Sequence, residues 1–160
     1  MKLRILAVVV LLAPLCLIAP AIGYSPQDLE QLRKTGACPR CDLSGAPLNK
    51  LNLAGANLRE ANLNRANMSQ VNLTRADLSG ANLEVANLSR ANLTGAILTG
   101  VNLKSANLAN ADLNGAGLIA ANLEGTNFRG AKLKFTNIRG VKFRLTTMPD
   151  GVVTPDNRYW

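Results

Sequence analysis

An all-β solenoid, a coil with flat sides and a dry centre, is the fold class that this sequence predicts. From residue 41 to residue 145 the chain repeats every five residues, and the central position of each repeat, called i below, is always apolar. It is Leu in most repeats, with Met68, Phe128, Ile138 and Phe143 as the variants. Position i−2 is small, usually Ala, varied as Cys41, Leu51, Val71, Val101, Thr126, Thr136 and Val141. A period of five suits neither regular element. At about 100° per residue a helix would carry successive Leu side chains roughly 140° around its axis, and at about 180° per residue a straight strand would send them to opposite faces. Within one repeat, however, i−2 and i are two residues apart and point the same way in an extended segment, so a bend in the remaining residues must re-aim the next repeat inward.

Runs such as Ala56-Asn57-Leu58-Arg59-Glu60, Ala61-Asn62-Leu63-Asn64-Arg65 and Ala76-Asp77-Leu78-Ser79-Gly80 carry the pattern A(N/D)LXX in tandem over about two thirds of the chain. This resembles the pentapeptide-repeat proteins. The resemblance implies a right-handed quadrilateral parallel β-helix with four repeats per coil, i and i−2 filling the interior and i−1, i+1 and i+2 lying outside. It implies no single activity. On that plan residues twenty apart stack, and the repeats make about five coils of four pentapeptides, a column about 25 Å tall at ~4.8 Å per coil. The chain then sorts into four walls, whose inward residues at one level are Leu83, Leu88, Leu93 and Leu98. The fourth wall runs Leu58, Leu78, Leu98, Leu118 and Ile138.

The chain has 160 residues, enough for one domain, and low aromatic content with abundant Leu, Ala and Asn suits a solenoid core. Residues 1–23 place Lys2 and Arg4 ahead of an apolar run over 5–18, then small residues and Pro, the layout of a secretory signal peptide. The run is shorter than the ~20 residues that span a bilayer. The expected product therefore begins near Tyr24 and is exported to a periplasm, a lumen or the extracellular space, with no stable membrane insertion.

Residues 24–40 read as a capping segment. Ser25 is a helix N-cap, Pro26 suits the first helical position, and Asp28 favours the positive end of the dipole. Arg33, Lys34 and Gly36 mark the stop, giving a short N-terminal capping α-helix over about 26–35 that lays Leu29 and Leu32 over the open end of the first coil. Cys38 and Cys41 then form the one Cys-x-x-Cys pair. With no His and no second Cys pair in the chain, an intrachain zinc site lacks ligands. A thioredoxin-type site would place the first Cys at a helix start, whereas this pair follows a helix. A structural disulfide in an oxidising compartment is the favoured reading, with partly buried free thiols the other. The repeats occupy 41–145, and 146–160 is a C-terminal cap or tail, in which Met148, Val152, Val153, Tyr159 and Trp160 are placed to cover the lower end of the core.

Position i−1 is Asn or Asp in most repeats, which suits bonding up the column or capping of the bends. Departures from it carry more information. Sorted by wall, Ile97 and Gly117 replace Asn on the fourth wall, and Ile119 and Ala120 replace polar outward residues beside them. This apolar strip is a candidate contact surface, with drift in a tolerant repeat the competing reading. Arg129, Lys132, Lys134, Arg139, Lys142 and Arg144 form a late basic cluster that the four-wall register spreads as a girdle around the last coil, a weak electrostatic docking site or simply a solvated end.

These observations order the function classes. An enzyme is disfavoured, since the carboxylates Glu60, Asp77, Glu84, Asp112 and Glu124 are scattered and a filled solenoid leaves no pocket. No cofactor and no metal are expected. The resemblance brings in a second class, the topoisomerase-interacting DNA mimics, but mimicry needs a strongly acidic surface and this chain has a net charge of +8. Nucleic-acid binding is not expected of a girdle without a stacking platform. The leading expectation is an exported structural or protein-interaction scaffold whose partner is an unidentified protein, a homodimer packed end to end or side by side being compatible with it.

Overall fold

The structure, a computed structural model, describes residues 23–155. The expected leader, apart from Gly23, and the terminal residues Tyr159 and Trp160 lie outside them. Among the described residues a single α-helix, α1 (Pro26–Thr35), precedes the column. Its start is fixed as the sequence predicts: Ser25 Oγ accepts from the Asp28 N–H at 3.2 Å, with Pro26 in the first turn. Gly36 ends it in the left-handed region at φ 67°, where its N–H donates to Leu32 O at 2.9 Å. The buried face carries Leu29 and Leu32. Two bonds seat the helix on the first coil: Ser25 N–H donates to Asp42 O at 2.9 Å, and Asp42 N–H donates to Asp28 Oδ2 at 2.8 Å. No helix among the described residues is long and apolar enough to cross a membrane.

After α1 the chain winds into a coil whose parallel bridges join residues twenty apart, from Ala37↔Asn57 to Asn127↔Thr147. Twenty residues hold four pentapeptides, so the coil has four sides. Each repeat is held to the next coil by a repeated set of bonds. Leu63 N–H donates to Asn82 O (2.8 Å), Asn82 N–H returns to Ala61 O (2.9 Å), and Arg65 N–H donates to Glu84 O (2.9 Å). Inside the repeat, Ala66 N–H closes the corner on Leu63 O at 3.0 Å. The backbone polar groups are thereby satisfied from coil to coil while the side chains are sorted in or out.

The corner explains how a period of five turns inward. Every fifth residue from Arg40 to Leu145 has positive φ, as the third residue of a type II turn requires. Nine of the chain's thirteen glycines occupy this position, and elsewhere it holds Arg, Lys, Glu, Asn, Gln, Ser and a few apolar residues. Left-handed φ places Cβ against the following carbonyl, so non-glycine corners are strained, most of all the β-branched Val85 at φ 61°.

Burial follows the pattern of i and i−2. Ala61, Leu63, Ala81, Leu83 and Met68 have no accessible surface, and Phe128 is also buried. Where Thr takes the i−2 position, its inward hydroxyl donates to a carbonyl in the coil above: the buried Thr126 to Leu103 O at 2.7 Å and Thr146 to Leu123 O at 2.6 Å, and the half-buried Thr136 to Leu113 O at 2.9 Å. The bridged backbone starts one repeat ahead of Cys41, because Cys38 already occupies a buried i position below α1. Cys38 and Cys41 are disulfide-bonded across that first corner.

The lower end departs from the regular pattern. Ile138, assigned by its register to the interior, is 47% exposed, because no further coil lies beneath its wall among the described residues. Leu133 and Phe143 are half-buried at the same level. The chain then folds back in a short hairpin: Met148 N–H bonds Val152 O at 2.7 Å and Thr147 pairs antiparallel with Val153. Among the described residues it pairs only with the edge of the wall that holds Phe128.

Two stability measurements check this account. Leu83→Ala, which empties a mid-column site, is expected to cost about 2–5 kcal/mol. Val85→Asn should raise stability by about 1 kcal/mol, since Asn tolerates positive φ and the Val side chain is already half exposed. An unchanged or lower urea midpoint for the second variant would show that the corner stores no such strain.

Candidate interaction surface

The outer surface is set by the side chain at i−1. In repeat after repeat its Oδ1 accepts from the N–H two residues on, as Asn72 does from Thr74 (3.1 Å), Asn82 from Glu84 (3.2 Å) and Asn127 from Arg129 (3.0 Å). On some walls its amide also bonds the side chain twenty residues earlier: Asn72 Nδ2 to Asn52 Oδ1 at 2.9 Å, and Asn122 to Asn102 to Asn82 at 3.3 and 3.2 Å. Both expected uses of the Asn column, bend cap and ladder, thus occur together.

The fourth wall breaks this order halfway down. Its upper part is ionic. Arg59 Nη1 pairs with Asp77 Oδ2 at 3.1 Å, and Arg40 Nε with Glu60 Oε2 at 2.8 Å on the adjoining corner. Burial pushes the Asp77 carboxyl up, but hydrogen bonds from Ser79 Oγ and N–H, then from Arg59, outweigh it and hold the group below its ordinary value. The Arg40 hydrogen bond and charge likewise hold Glu60 low.

Below Asp77 the column continues as Ile97, Gly117 and Asn137, each bridged to the one above. Ile97 is 47% exposed and Ile119 37% exposed, and Gly100 N–H bonds Ile119 O at 2.8 Å, so the strip lies on adjacent coils. A Cβ added at Gly117 or Gly100 would meet nothing within 4 Å, so packing does not demand glycine at Gly117. The structure adds what the i−1 column alone did not reveal. At the corner of the same wall stand Gly80, Gly100, Ala120 and Gly140, leaving a nearly side-chain-free edge beside the two isoleucines. Reading the i+2 residues at intervals of twenty would have found it.

The six basic residues of the girdle are exposed and lie on all four walls, each bonded through its own or a neighbouring peptide to the coil above. Lys132 pairs with Asp112 at 3.5 Å and Arg144 with Glu124 at 3.3 Å. The Arg144 pair is one rung of the first-wall series Glu84, Lys104, Glu124 and Arg144, whose backbones stack coil on coil. Glu84 accepts from Asn102 Nδ2 at 3.4 Å. Strip and girdle meet near Arg139, at the foot of the fourth wall.

Comparison with known proteins settles what kind of column this is. A family model described as pentapeptide repeats matches residues 40–75, 52–87, 86–118 and 106–144, with eight copies. The chain belongs to the pentapeptide-repeat family. Its fold is accordingly a right-handed quadrilateral β-helix. The solved pentapeptide-repeat protein Rfr23 from the cyanobacterium Cyanothece 51142 is 34% identical, with a TM-score of 0.71 over 77% of this chain and 95% of that one. HetL from Nostoc sp. strain PCC 7120, a pentapeptide-repeat protein involved in heterocyst differentiation regulation, is 34% identical, with a TM-score of 0.42 over 74% of this chain and 66% of that one. QnrB1, a plasmid-mediated fluoroquinolone resistance protein, is 19% identical, with a TM-score of 0.43 over 75% of this chain and 65% of that one. No curated protein sequence matches.

The acidic anchor at the top of the strip has a pH signature. Because the folded pKa of Asp77 is depressed, its contribution to stability is complete above the ordinary carboxylate value of about 4 and is lost as pH falls through the lower folded value. Asp77→Asn retains a residue able to cap the bend, as Asn72 and Asn82 do, but removes the charge. Its deficit against the unsubstituted chain, up to about 1 kcal/mol at pH 7, should shrink and then vanish as pH falls below the ordinary carboxylate range in urea titrations. A deficit that persists in acid would place its source elsewhere than in the carboxylate charge.

Proposed function

We propose that this pentapeptide-repeat protein is an exported, non-catalytic scaffold that presents the lower half of its fourth wall to a protein partner. The observation that carries the reading is the interruption of the Asn column at Ile97 and Gly117. An outward Asn caps its bend there in most repeats, so the apolar replacements give up a local bond and expose hydrocarbon. The glycine and alanine corner beside them lets another backbone approach closely.

In this reading α1 caps the upper end of about five coils of four pentapeptides, with the Cys38–Cys41 disulfide pinning the first corner in an oxidising compartment. Export rests on the layout of residues 1–23. The alternative of a topoisomerase-interacting DNA mimic asks for an acidic surface, and basic residues outnumber acidic ones by eighteen to ten in this chain.

One experiment tests both halves of the proposal. The chain and its Ile97→Asn/Ile119→Ser variant are recovered by affinity tag from the exported fraction under gentle conditions, and intact masses and co-purifying proteins are compared. The expected result is a mature chain beginning near Tyr24 and a partner, or a second copy, that the variant loses. Equal recovery with the variant would reduce the strip to drift, and a chain found only in the cytoplasm with residues 1–23 attached would remove export from the reading.

A further inference from the structure

The charge of the column is distributed unevenly along its axis. Residues 23–45 hold three basic and three acidic side chains, and residues 46–124 hold six and five. Residues 125–155 hold six basic and one acidic, so nearly all the excess of the described chain sits at the lower end. The six cations, Arg129 to Arg144, fall within one turn of the twenty-residue coil. At ~4.8 Å of rise per coil they occupy a slab about 5 Å deep, perpendicular to the axis.

Exposed hydrocarbon is concentrated at the same level. Phe135 is 83% exposed, Val152 61%, Leu145 53%, Val153 53% and Ile138 47%. Lys134 Nζ lies over the Phe135 ring, 5.1 Å from its centroid. Between the hairpin and the last coil an apolar cleft of about 580 Å³ opens, lined chiefly by Ile138, Phe143, Met148, Pro149, Val152 and Val153.

We propose that the lower end of the column is a docking face for an anionic lipid bilayer, met end-on with the axis near the membrane normal. The geometry selects the partner. A ring of cations around the end of a rod offers a linear polyanion one side at a time, whereas a plane meets the whole ring together. Apolar side chains set among cations, with Phe135 and Leu145 at the outward corners of the ring and Ile138, Val152 and Val153 exposed at the same end, are the arrangement that inserts shallowly among lipid headgroups while the cations remain at the phosphates. The proposal concerns the column's end and is independent of the fourth-wall strip.

The test is flotation of the full chain with vesicles of phosphatidylcholine alone and of phosphatidylcholine with phosphatidylglycerol at about two to one. Every variant carries the same residues 1–23, so any contribution from the apolar run over 5–18 is common to all. Binding to the anionic vesicles is expected to exceed binding to the neutral ones and to be released in 1 M salt, where the Debye length is about 3 Å. Lys134→Gln/Arg139→Gln/Lys142→Gln should lower the anionic partition coefficient about a hundredfold. Lys50→Gln/Arg75→Gln/Arg90→Gln removes the same charge from coils about 10 Å or more above the ring and should lower it less than about threefold. Phe135→Ser/Val153→Ser should weaken binding about tenfold. Circular dichroism and melting of each variant confirm that the column is intact. No preference for anionic vesicles, or equal losses from the two charge variants, overturns the proposal. So does a concentration-dependent dimer that Phe135→Ser/Val153→Ser dissociates without any change in vesicle binding, which would assign the end to a second copy of the chain.

Discussion

The chain must turn sharply after every five residues, and it does so with one peptide unit. A residue in the left-handed region stands at each corner from Arg40 to Leu145, and its turn bond, such as Ala66 N–H to Leu63 O, fixes the direction of the next side. This constraint sets the other regularities. The corner leaves i−2 and i facing inward on each side. With four such corners per coil, bonds such as Leu63 N–H to Asn82 O join residues stacked along the axis. The apolar core is then a consequence of corner geometry as much as of composition: a Leu at i is buried because the chain cannot carry it anywhere else. The polar skin follows in the same way, since i−1 stands just before the bend and its side-chain oxygen reaches the N–H two residues on.

How much of this is legible in the sequence depends on which positions are under a repeating demand. The apolar i column and the small i−2 column are read directly, because burial admits few residue types and the same demand recurs in each coil. The start of α1 is legible because Ser25, Pro26 and Asp28 each have a local reason to be where they are. The corner conformation was present in the sequence as glycine at i+2, yet Arg65, Arg75 and Val85 occupy the same position and hide it, since the turn tolerates strain that its bonds can hold. Ile138 reads as an interior residue and is exposed for the opposite reason. Its residue type and register are those of a core position, and what exposes it is the absence, among the described residues, of a coil beneath, which no local pattern encodes.

The candidate surfaces were legible only after folding the register. Ile97, Gly117 and Ile119 are unremarkable along the chain and adjacent on the column. The basic residues from Arg129 to Arg144 look like a linear cluster in sequence and become a ring in space. Their acidic counterparts are found by counting back twenty residues, not by looking along the cluster. Asp112 and Glu124 lie well before the cluster in sequence but one coil above Lys132 and Arg144, close enough to pair with them. On a solenoid, nearness in sequence and nearness on the surface are different quantities, and both charge and apolarity have to be summed along the second.

The twenty-residue stacking also fixes the unit by which such a protein can change length. Adding or removing twenty residues would alter the height of the column and leave each outward residue on its own wall. Adding or removing five would turn everything below it by a quarter, so that an extra pentapeptide between Gly100 and Gly117 would carry Gly117 and Ile119 onto a different side from Ile97. A surface built from residues on several coils is therefore stable to whole-coil duplication and dispersed by single-repeat duplication, whereas a ring confined to one coil survives both.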